Sequence, residues 1–122
     1  MPERKKLYMR ILQAELRDCI DDLSELSKGF RERFECQEIG NYVNCENQVL
    51  LCAEIRAVEH ILLLIDQIDD ESYDSVETLH REIEAIAGDA VEKGDYPPAV
   101  ASMIKRRTVK VLDYIKNRSP KL

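Results

Sequence analysis

Two histidines, His60 and His80, are the first residues to test for metal or acid–base chemistry. Glu77 and His80 have the Glu-x-x-His spacing that di-iron carboxylate bundles use to bring two metal ligands to one helix face. Such a site needs a second motif of this kind and two more inward glutamates, and the sequence has a single motif. Both histidines also fall off the apolar faces of their predicted helices. We therefore expect both at the helix surface, and we expect no metal site.

Four cysteines could bind zinc or react as thiols: Cys19, Cys36, Cys45 and Cys52. Zinc ligands usually include a pair about two to four residues apart, and this sequence has no such pair. Cys19 and Cys52 fall on or beside predicted apolar faces, so we expect both to be buried as small hydrophobic residues. Cys36 and Cys45 flank a predicted turn and would face each other across its mouth. A redox pair is the alternative there, although acidic neighbours disfavour the thiolate.

Other catalytic motifs are incomplete or missing from the sequence. Arg56 and His60 have three residues between them, one short of the Arg/His motif of the HEPN family of helical ribonucleases. The sequence contains no Gly-rich phosphate loop and no Gly-x-Ser-x-Gly nucleophile elbow. We therefore expect no catalytic residue, no cofactor and no small-molecule substrate.

The strongest charge asymmetry is a basic C-terminal segment in an acidic chain. Residues 105–122 hold seven Lys or Arg and one Asp, whereas the whole chain has a net charge of −6. One interpretation is an anion or nucleic-acid contact surface formed by Arg106, Arg107, Lys110 and Lys116. The other is neutralisation within the fold, against an acidic run from Asp66 to Glu77 that an up-down bundle would bring alongside. We favour the second, because a sequence pI near 5.0 disfavours binding to nucleic acids.

Apolar residues recur at spacings of three and four in four segments, which is the pattern of helix faces that pack against other helices. The clearest ladder contains Met9, Leu12, Leu16, Cys19, Leu23, Leu26 and Phe30. Four glycines, four prolines and seven aromatic residues are too few turn and strand formers for a β-sandwich or barrel. The sequence therefore predicts an all-α fold: a four-helix, largely antiparallel up-down bundle with a long N-terminal helical hairpin, forming one domain over residues 1–122.

Turn and cap residues predict the limits of the first two helices. The first helix should cover residues 3–35 and continue through Gly29. Gly40–Asn41 should supply the positive φ values of the following turn, since glycine and asparagine accept them most readily. The second helix should begin at an asparagine cap within residues 41–47 and end near Asp69.

The last two helices have clearer start and stop signals. Asp74 and Glu77 have the spacing of a capping box, which predicts the start of the third helix. Gly94 should cap its C-terminus. Pro98 suits the first turn of the fourth helix. The polar residues 117–122 should form a frayed tail.

The unequal lengths of the predicted helices give the main functional expectation. A first helix of about 33 residues spans ~50 Å, and a third helix of about 20 residues spans ~30 Å. The long hairpin should therefore project past the short pair, and its uncovered apolar surface should form an interface. We expect the contact residues in that overhang: Phe30, Phe34, Ile39, Tyr42 and Val43. A bend at Gly29 that equalises the lengths is the alternative.

These features favour a non-enzymatic helical protein-interaction module, such as an adaptor, a chaperone-like protein or a regulator, that binds itself, another protein or both. The alternative class is a nucleic-acid-associated regulator that uses the basic C-terminal helix. The longest aliphatic run, Ile61–Ile65, is far below the ~20 residues that cross a bilayer. The first residues carry no secretory signal. We therefore expect a cytoplasmic protein without membrane contact.

Overall fold

The structure, a computed structural model, describes residues 2–117 and contains four α-helices joined by short connections. They are α1 (Pro2–Glu35), α2 (Asn41–Asp66), α3 (Val76–Lys93) and α4 (Ala99–Asn117), with a 3-10 helix at Asp70–Ser72 before α3. No strand occurs in the described residues, so the expected all-α four-helix bundle is confirmed. The expected polar tail after residue 117 lies outside the described residues. Within 2–117, every helix is too short or too polar to span a membrane.

Neighbouring helices run antiparallel, as the short connections require. Gln13 on α1 donates to the Asp66 carboxylate at the end of α2, at 2.8 Å. Arg4 at the start of α1 donates to the carbonyl of Ile115 near the end of α4, at 3.2 Å. The two ends of the chain's helical part therefore lie side by side in an up-down-up-down arrangement.

One apolar face from each helix forms the core. On α1 the buried residues of the predicted ladder are Met9, Leu12, Leu16, Cys19 and Leu23, and Tyr8 is buried beside them. The other helices contribute mainly Val58, Ile61, Ile65, Leu79, Ile83, Val100, Ile104, Val111 and Ile115. The period of the apolar residues therefore predicted the inward face of each helix correctly.

Burial stops abruptly along the first hairpin. The last buried hydrophobic residue of α1 is Leu23, and the first of α2 is Leu51. Leu26 follows the ladder by spacing and was expected in the core, but its side chain is 54% exposed. The spacing is right for the face, and the neighbouring helices do not reach that far.

Helix length accounts for this limit. α1 has 34 residues and α2 has 26, whereas α3 has 18 and α4 has 19. At 1.5 Å per residue, α1 is about 51 Å long and α3 about 27 Å. α1 continues through Gly29 without interruption, as expected. Residues 24–50, which hold no buried hydrophobic side chain, are called the hairpin tip below.

The turn between α1 and α2 places its positive φ at a residue other than the expected glycine or asparagine. Gln37 has a φ of 63°, whereas Gly40 has a φ of −80°. The Gln37 amide donates to the Phe34 carbonyl (3.0 Å) and the Glu38 amide to the Arg33 carbonyl (2.8 Å). These are the two bonds of a Schellman motif, and they offset the cost of a left-handed glutamine.

The limits of α2 also differ from expectation. Gly40 is the N-cap and forms no side-chain cap hydrogen bond, so the expected asparagine cap is wrong. α2 ends at Asp66 rather than near Asp69. Asp69 instead caps the 3-10 helix, where its carboxylate accepts from the Glu71 amide at 3.1 Å. An aspartate two residues before a free amide favours this local turn over another turn of α-helix.

The start of α3 lies one residue later than expected. Ser75, not Asp74, is the N-cap, and its hydroxyl accepts from the Thr78 amide at 3.2 Å. Both residue types are good caps, so the sequence alone did not separate them. Glu77 still lies in the first turn, and Gly94 is the C-cap as expected.

Candidate protein-interaction surface

α1 carries its inward face past the end of the core. Leu26, Phe30 and Phe34 follow the buried Leu23 at spacings of three and four, so they continue the same stripe. Phe30 is half-buried against the edge of the core, whereas Leu26 and Phe34 are exposed. This segment of α1 therefore presents an apolar face that no helix of the described chain covers.

α2 does the same from the other side of the hairpin. Val43, Leu50 and Ala57 lie seven residues apart, which keeps them on one face of the helix. Ala57 is fully buried in the bundle, whereas Leu50 is 47% exposed and Val43 is exposed to a similar extent. One stripe of α2 is therefore covered within the bundle and open at the hairpin tip.

The five residues expected in the overhang all lie at the tip but do not form one surface. Phe34 and Val43 lie on the open inward faces, and Phe30 and Ile39 are half-buried. Tyr42 is 72% exposed, but it lies about 100° around the helix from Val43, on another side of α2. Leu26 and Leu50 are also exposed at the tip and were not among the expected contact residues, although the seven-residue spacing from Leu50 to Ala57 is present in the sequence.

A polar seam holds the two helices together at the tip, where the apolar core is absent. The Ser27 hydroxyl donates to the Gln48 side-chain carbonyl in a short hydrogen bond. The Gln48 amide donates back to the Ser27 carbonyl (2.8 Å) and to the buried Asn44 side chain (3.3 Å). These directional bonds fix the register of the hairpin and leave its apolar stripes facing outward from the seam.

The observed register also separates the cysteines. Ser27 lies opposite Gln48, whereas the turn expected from sequence placed Gln48 opposite Arg33. Cys36 and Cys45 are therefore not directly opposite each other; both are exposed free thiols, and the Cys45 thiol donates to the Asn41 side chain at 3.6 Å.

The two cysteines expected in the core differ in outcome. Cys19 is buried as expected, and burial raises the pKa of its thiol. Cys52 was expected to be buried but is exposed, because it lies on the side of α2 that faces away from the bundle.

One cation lies over the open face of α1. Arg33 places its guanidinium 5.9 Å from the centre of the Phe30 ring, and its Nε lies 3.5 Å from the Glu38 carboxylate. A shallow cleft of about 190 Å³ opens beside it, lined by Glu25, Leu26, Gly29, Phe30 and Arg33. An apolar side chain with a nearby acidic group fits this cleft best.

The basic residues of α4 are engaged mostly within the fold. Arg107 contacts Glu15 at 3.2 Å and Asp22 at 3.1 Å, and it also donates to the Glu15 carbonyl at 3.0 Å. Lys110 contacts the same Glu15 carboxylate at 3.1 Å. Neutralisation within the fold is therefore observed, but for these two cations the partners lie on α1 rather than in the expected acidic run.

The rest of the basic segment is divided. Lys116 lies 3.9 Å from Glu77, and among the described residues of the basic segment this is the contact with the acidic run that matches the expectation. Arg106 is exposed. Arg118 and Lys121 lie outside the described residues. With Arg107 and Lys110 already paired to carboxylates, the candidate anion surface keeps little uncompensated positive charge among the described residues.

His80 was expected at the surface, and this expectation is wrong. It is 7% exposed, and the Tyr8 hydroxyl lies 2.8 Å from its Nδ1. Its Nε2 lies 3.2 Å from the Glu84 carboxylate, which the Thr108 hydroxyl also approaches at 3.4 Å. Burial, and then the charge of Glu84, raise the pKa of Tyr8 above its ordinary value. The Nε2 nitrogen of His80 faces the Glu84 carboxylate, which can only accept, and Nδ1 pairs with the Tyr8 hydroxyl. His60 is exposed as expected.

The chain of contacts from Tyr8 through His80 to Glu84 has the residue types of a proton relay, and its Glu84 end is partly exposed. The Tyr8 side chain is fully buried. Within residues 2–117, no three His, Cys, Asp or Glu side chains are grouped to hold a metal ion. This chain of contacts therefore joins α1 to α3 within the bundle. The open faces of the hairpin tip are the stronger candidate for a functional surface.

The fold and this surface together define the class: a four-helix bundle with an open, apolar end. Comparison of the chain with protein-family models, curated proteins and solved structures finds no match in any of the three.

Proposed function

We propose that this chain is a non-enzymatic helical protein-interaction module that associates first with a second copy of itself, through the hairpin tip. The observation that carries the proposal is the continuation of the inward stripes of α1 and α2 beyond the core. Leu26 and Phe34 on α1, with Val43 and Leu50 on α2, keep their helical spacing but lose their cover. A contiguous apolar patch of a few hundred Å² usually marks an interface.

A second copy is the occupant that the shape favours. At the tip, the bundle lacks two antiparallel helices of about three turns each, and the tip is itself such a pair. Two tips packed around a two-fold axis would therefore complete an intermolecular four-helix bundle. Arg33 on α1 and Glu46 on α2 give each tip both signs of charge, which a symmetric pairing can match.

Binding rather than catalysis is supported by the position of the most chemically capable residues. Tyr8 and His80 are buried and satisfied by each other, so they offer no group to a substrate. A cytoplasmic location, also part of this proposal, is supported by four free cysteines, which a reducing compartment maintains.

The test is the molar mass of the purified chain, measured by light scattering over a range of concentrations. We expect a mass above the 14.1 kDa of one chain, rising with concentration. Leu26→Glu and Leu50→Glu should each lower that mass, weakening the tip contact at least about tenfold because a charge would be buried in an apolar interface.

Val109→Glu is the matched control, because Val109 is also an exposed apolar residue but lies on α4. It should leave the mass unchanged. A mass of 14.1 kDa at every concentration, or equal masses for the wild type and both tip variants, contradicts the proposal.

A further inference from the structure

α2 carries a second stripe on the side opposite its buried face. Its members follow one another at alternating intervals of three and four: Tyr42, Cys45, Val49, Cys52, Arg56, Glu59 and Leu63. All seven are exposed, including Val49 at 71% and Leu63 at 62%. These residues are called the outer stripe below. Exposed apolar residues at this regularity are not the scattered ones that any surface shows.

The spacing is that of the a and d positions of a coiled coil. The buried residues of α2, such as Leu51, Val58 and Ile65, occupy the other side of the helix and are already packed. The outer stripe is therefore a complete second seam, suited to one more helix.

The charges within the stripe identify that helix. Cys52, Arg56, Glu59 and Leu63 lie at intervals of four, three and four, which read the same in both directions. An antiparallel copy centred between Arg56 and Glu59 would set each Arg56 against the other copy's Glu59, and each Cys52 against the other copy's Leu63. A parallel copy would set Arg56 against Arg56 and Glu59 against Glu59, which repels.

We infer that a second copy of this chain packs antiparallel on the outer stripe, around a two-fold axis midway between Arg56 and Glu59. Neither side chain forms an ion pair or hydrogen bond among residues 2–117, so both charges are available to a partner. Exposed ion pairs add little affinity each. Cys52, Leu63 and Val49, which lie within the overlap of the two α2 helices, therefore supply the affinity, and the two symmetric charge pairs select the antiparallel direction.

This contact goes beyond the proposed function, because it uses a different face of the molecule. The open stripe of α2 at the tip contains Val43 and Leu50, whereas the outer stripe lies on the far side of the same helix. Two separate two-fold contacts on one chain extend an assembly beyond a dimer, to a closed tetramer or an open row.

A charge-swap series tests the inference in a Leu50→Glu background, where the tip contact is weakened. We expect that background to remain a dimer by sedimentation, and Arg56→Glu or Glu59→Arg to shift it towards monomer by at least about tenfold in dissociation constant. The double swap, Arg56→Glu with Glu59→Arg, should restore the dimer, because opposite charges face each other again. Both residues are exposed, and circular dichroism checks that each variant is folded.

The inference is overturned if the Leu50→Glu background is monomeric or if the single swaps leave its mass unchanged. It is also overturned if the double swap does not restore the dimer. Failure of the tip proposal has a different signature. In that case Leu50→Glu alone would not lower the wild-type mass, while the charge swaps would still decide the outer stripe.

A thiol trap tests the direction independently. Leu63→Cys, with Cys36 and Cys45 changed to Ser, should form a covalent dimer through Cys52 of the second copy when treated with glutathione disulfide. Two protein thiols are oxidised to one disulfide while one glutathione disulfide is reduced to two thiols. Within one chain the two sulfurs lie about 16 Å apart along the helix, too far to bridge. The same yield after adding Cys52→Ser overturns the antiparallel arrangement.

Discussion

At the scale of single residues, the most informative feature is the buried contact between Tyr8 and His80. The phenol pairs with one imidazole nitrogen inside the core, and the other ring nitrogen faces the Glu84 carboxylate. Buried polar groups that are fully paired cost little, but each becomes expensive when its partner is removed. The contact therefore fixes the position of α1 relative to α3.

Tyr8→Phe should lower the free energy of unfolding by about 1–3 kcal/mol, because Nδ1 of His80 would be left buried without a hydrogen-bond partner. Urea denaturation followed by circular dichroism measures the change. Tyr42→Phe is the matched control: its hydroxyl contacts Glu46 at the exposed surface, and its loss should change stability by no more than ~0.5 kcal/mol. Similar losses in the two variants would show that the Tyr8 contact contributes nothing specific.

The residue scale is also where sequence analysis was weakest. The apolar face predicted for α3 contains aliphatic residues only, and His80 was therefore expected at the surface. Its own spacing of three to Ile83 and seven to Ala87, both buried, puts it on the inward side. Tyr8, four residues before Leu12, has the matching position on α1. The sequence does not show that a polar residue is buried until its hydrogen-bond partner is known. For His80 that partner, Tyr8, is 72 residues away.

At the scale of elements, the two Schellman turns show how α1 and α3 end. Gln37 and Asp95 both adopt positive φ, 63° and 54°, where glycine would be expected. After α3, the Tyr96 amide donates to the Val91 carbonyl at 3.1 Å, the same bond that Glu38 makes after α1. The helices themselves were predictable from the spacing of apolar residues alone, because several residues mark the buried face of each helix. The left-handed residue was not, because two backbone hydrogen bonds outweigh a preference of about 1 kcal/mol.

Gly94→Ala should destabilise the protein by roughly 1–3 kcal/mol through overpacking. A Cβ at this position would come within 2.5 Å of the Tyr96 ring and 2.9 Å of the Ala90 carbonyl. Gly88→Ala is the control, since a Cβ there meets nothing within 4 Å and alanine favours helix by ~1 kcal/mol. Thermal unfolding should therefore move in opposite directions for the two variants. A shift of the same sign would contradict the crowding at Gly94.

At the scale of the whole molecule, the chain has a packed end and an open end. All buried hydrophobic residues lie outside the hairpin tip, where a polar seam from Ser27 to Gln48 replaces the core. The sequence predicted that an overhang exists, because helix lengths follow from the ladders. It did not predict that Leu26 and Leu50 are its exposed members, because periodicity assigns a face and not the point where the neighbouring helices end.

Hydrogen exchange should reveal this division in the Leu50→Glu variant. Amides of the hairpin tip should open with free energies roughly 2 kcal/mol or more below those of residues 57–65, since few buried contacts hold the tip closed. In the wild type at high concentration, the tip amides should become slower to exchange, because the proposed tip contact would cover them. Uniform protection along α1 and α2 in the variant would contradict the division.

The polar seam has one more consequence, for the way such a molecule can change over generations. Because Ser27, Asn44 and Gln48 hold the far end of the hairpin with hydrogen bonds, the exposed apolar residues Leu26 and Leu50 contribute little buried area to the fold. Mutation can exchange those residues for others at little risk to the rest of the chain. Substitutions at the tip should therefore change the chemistry of this surface while leaving the same scaffold in place.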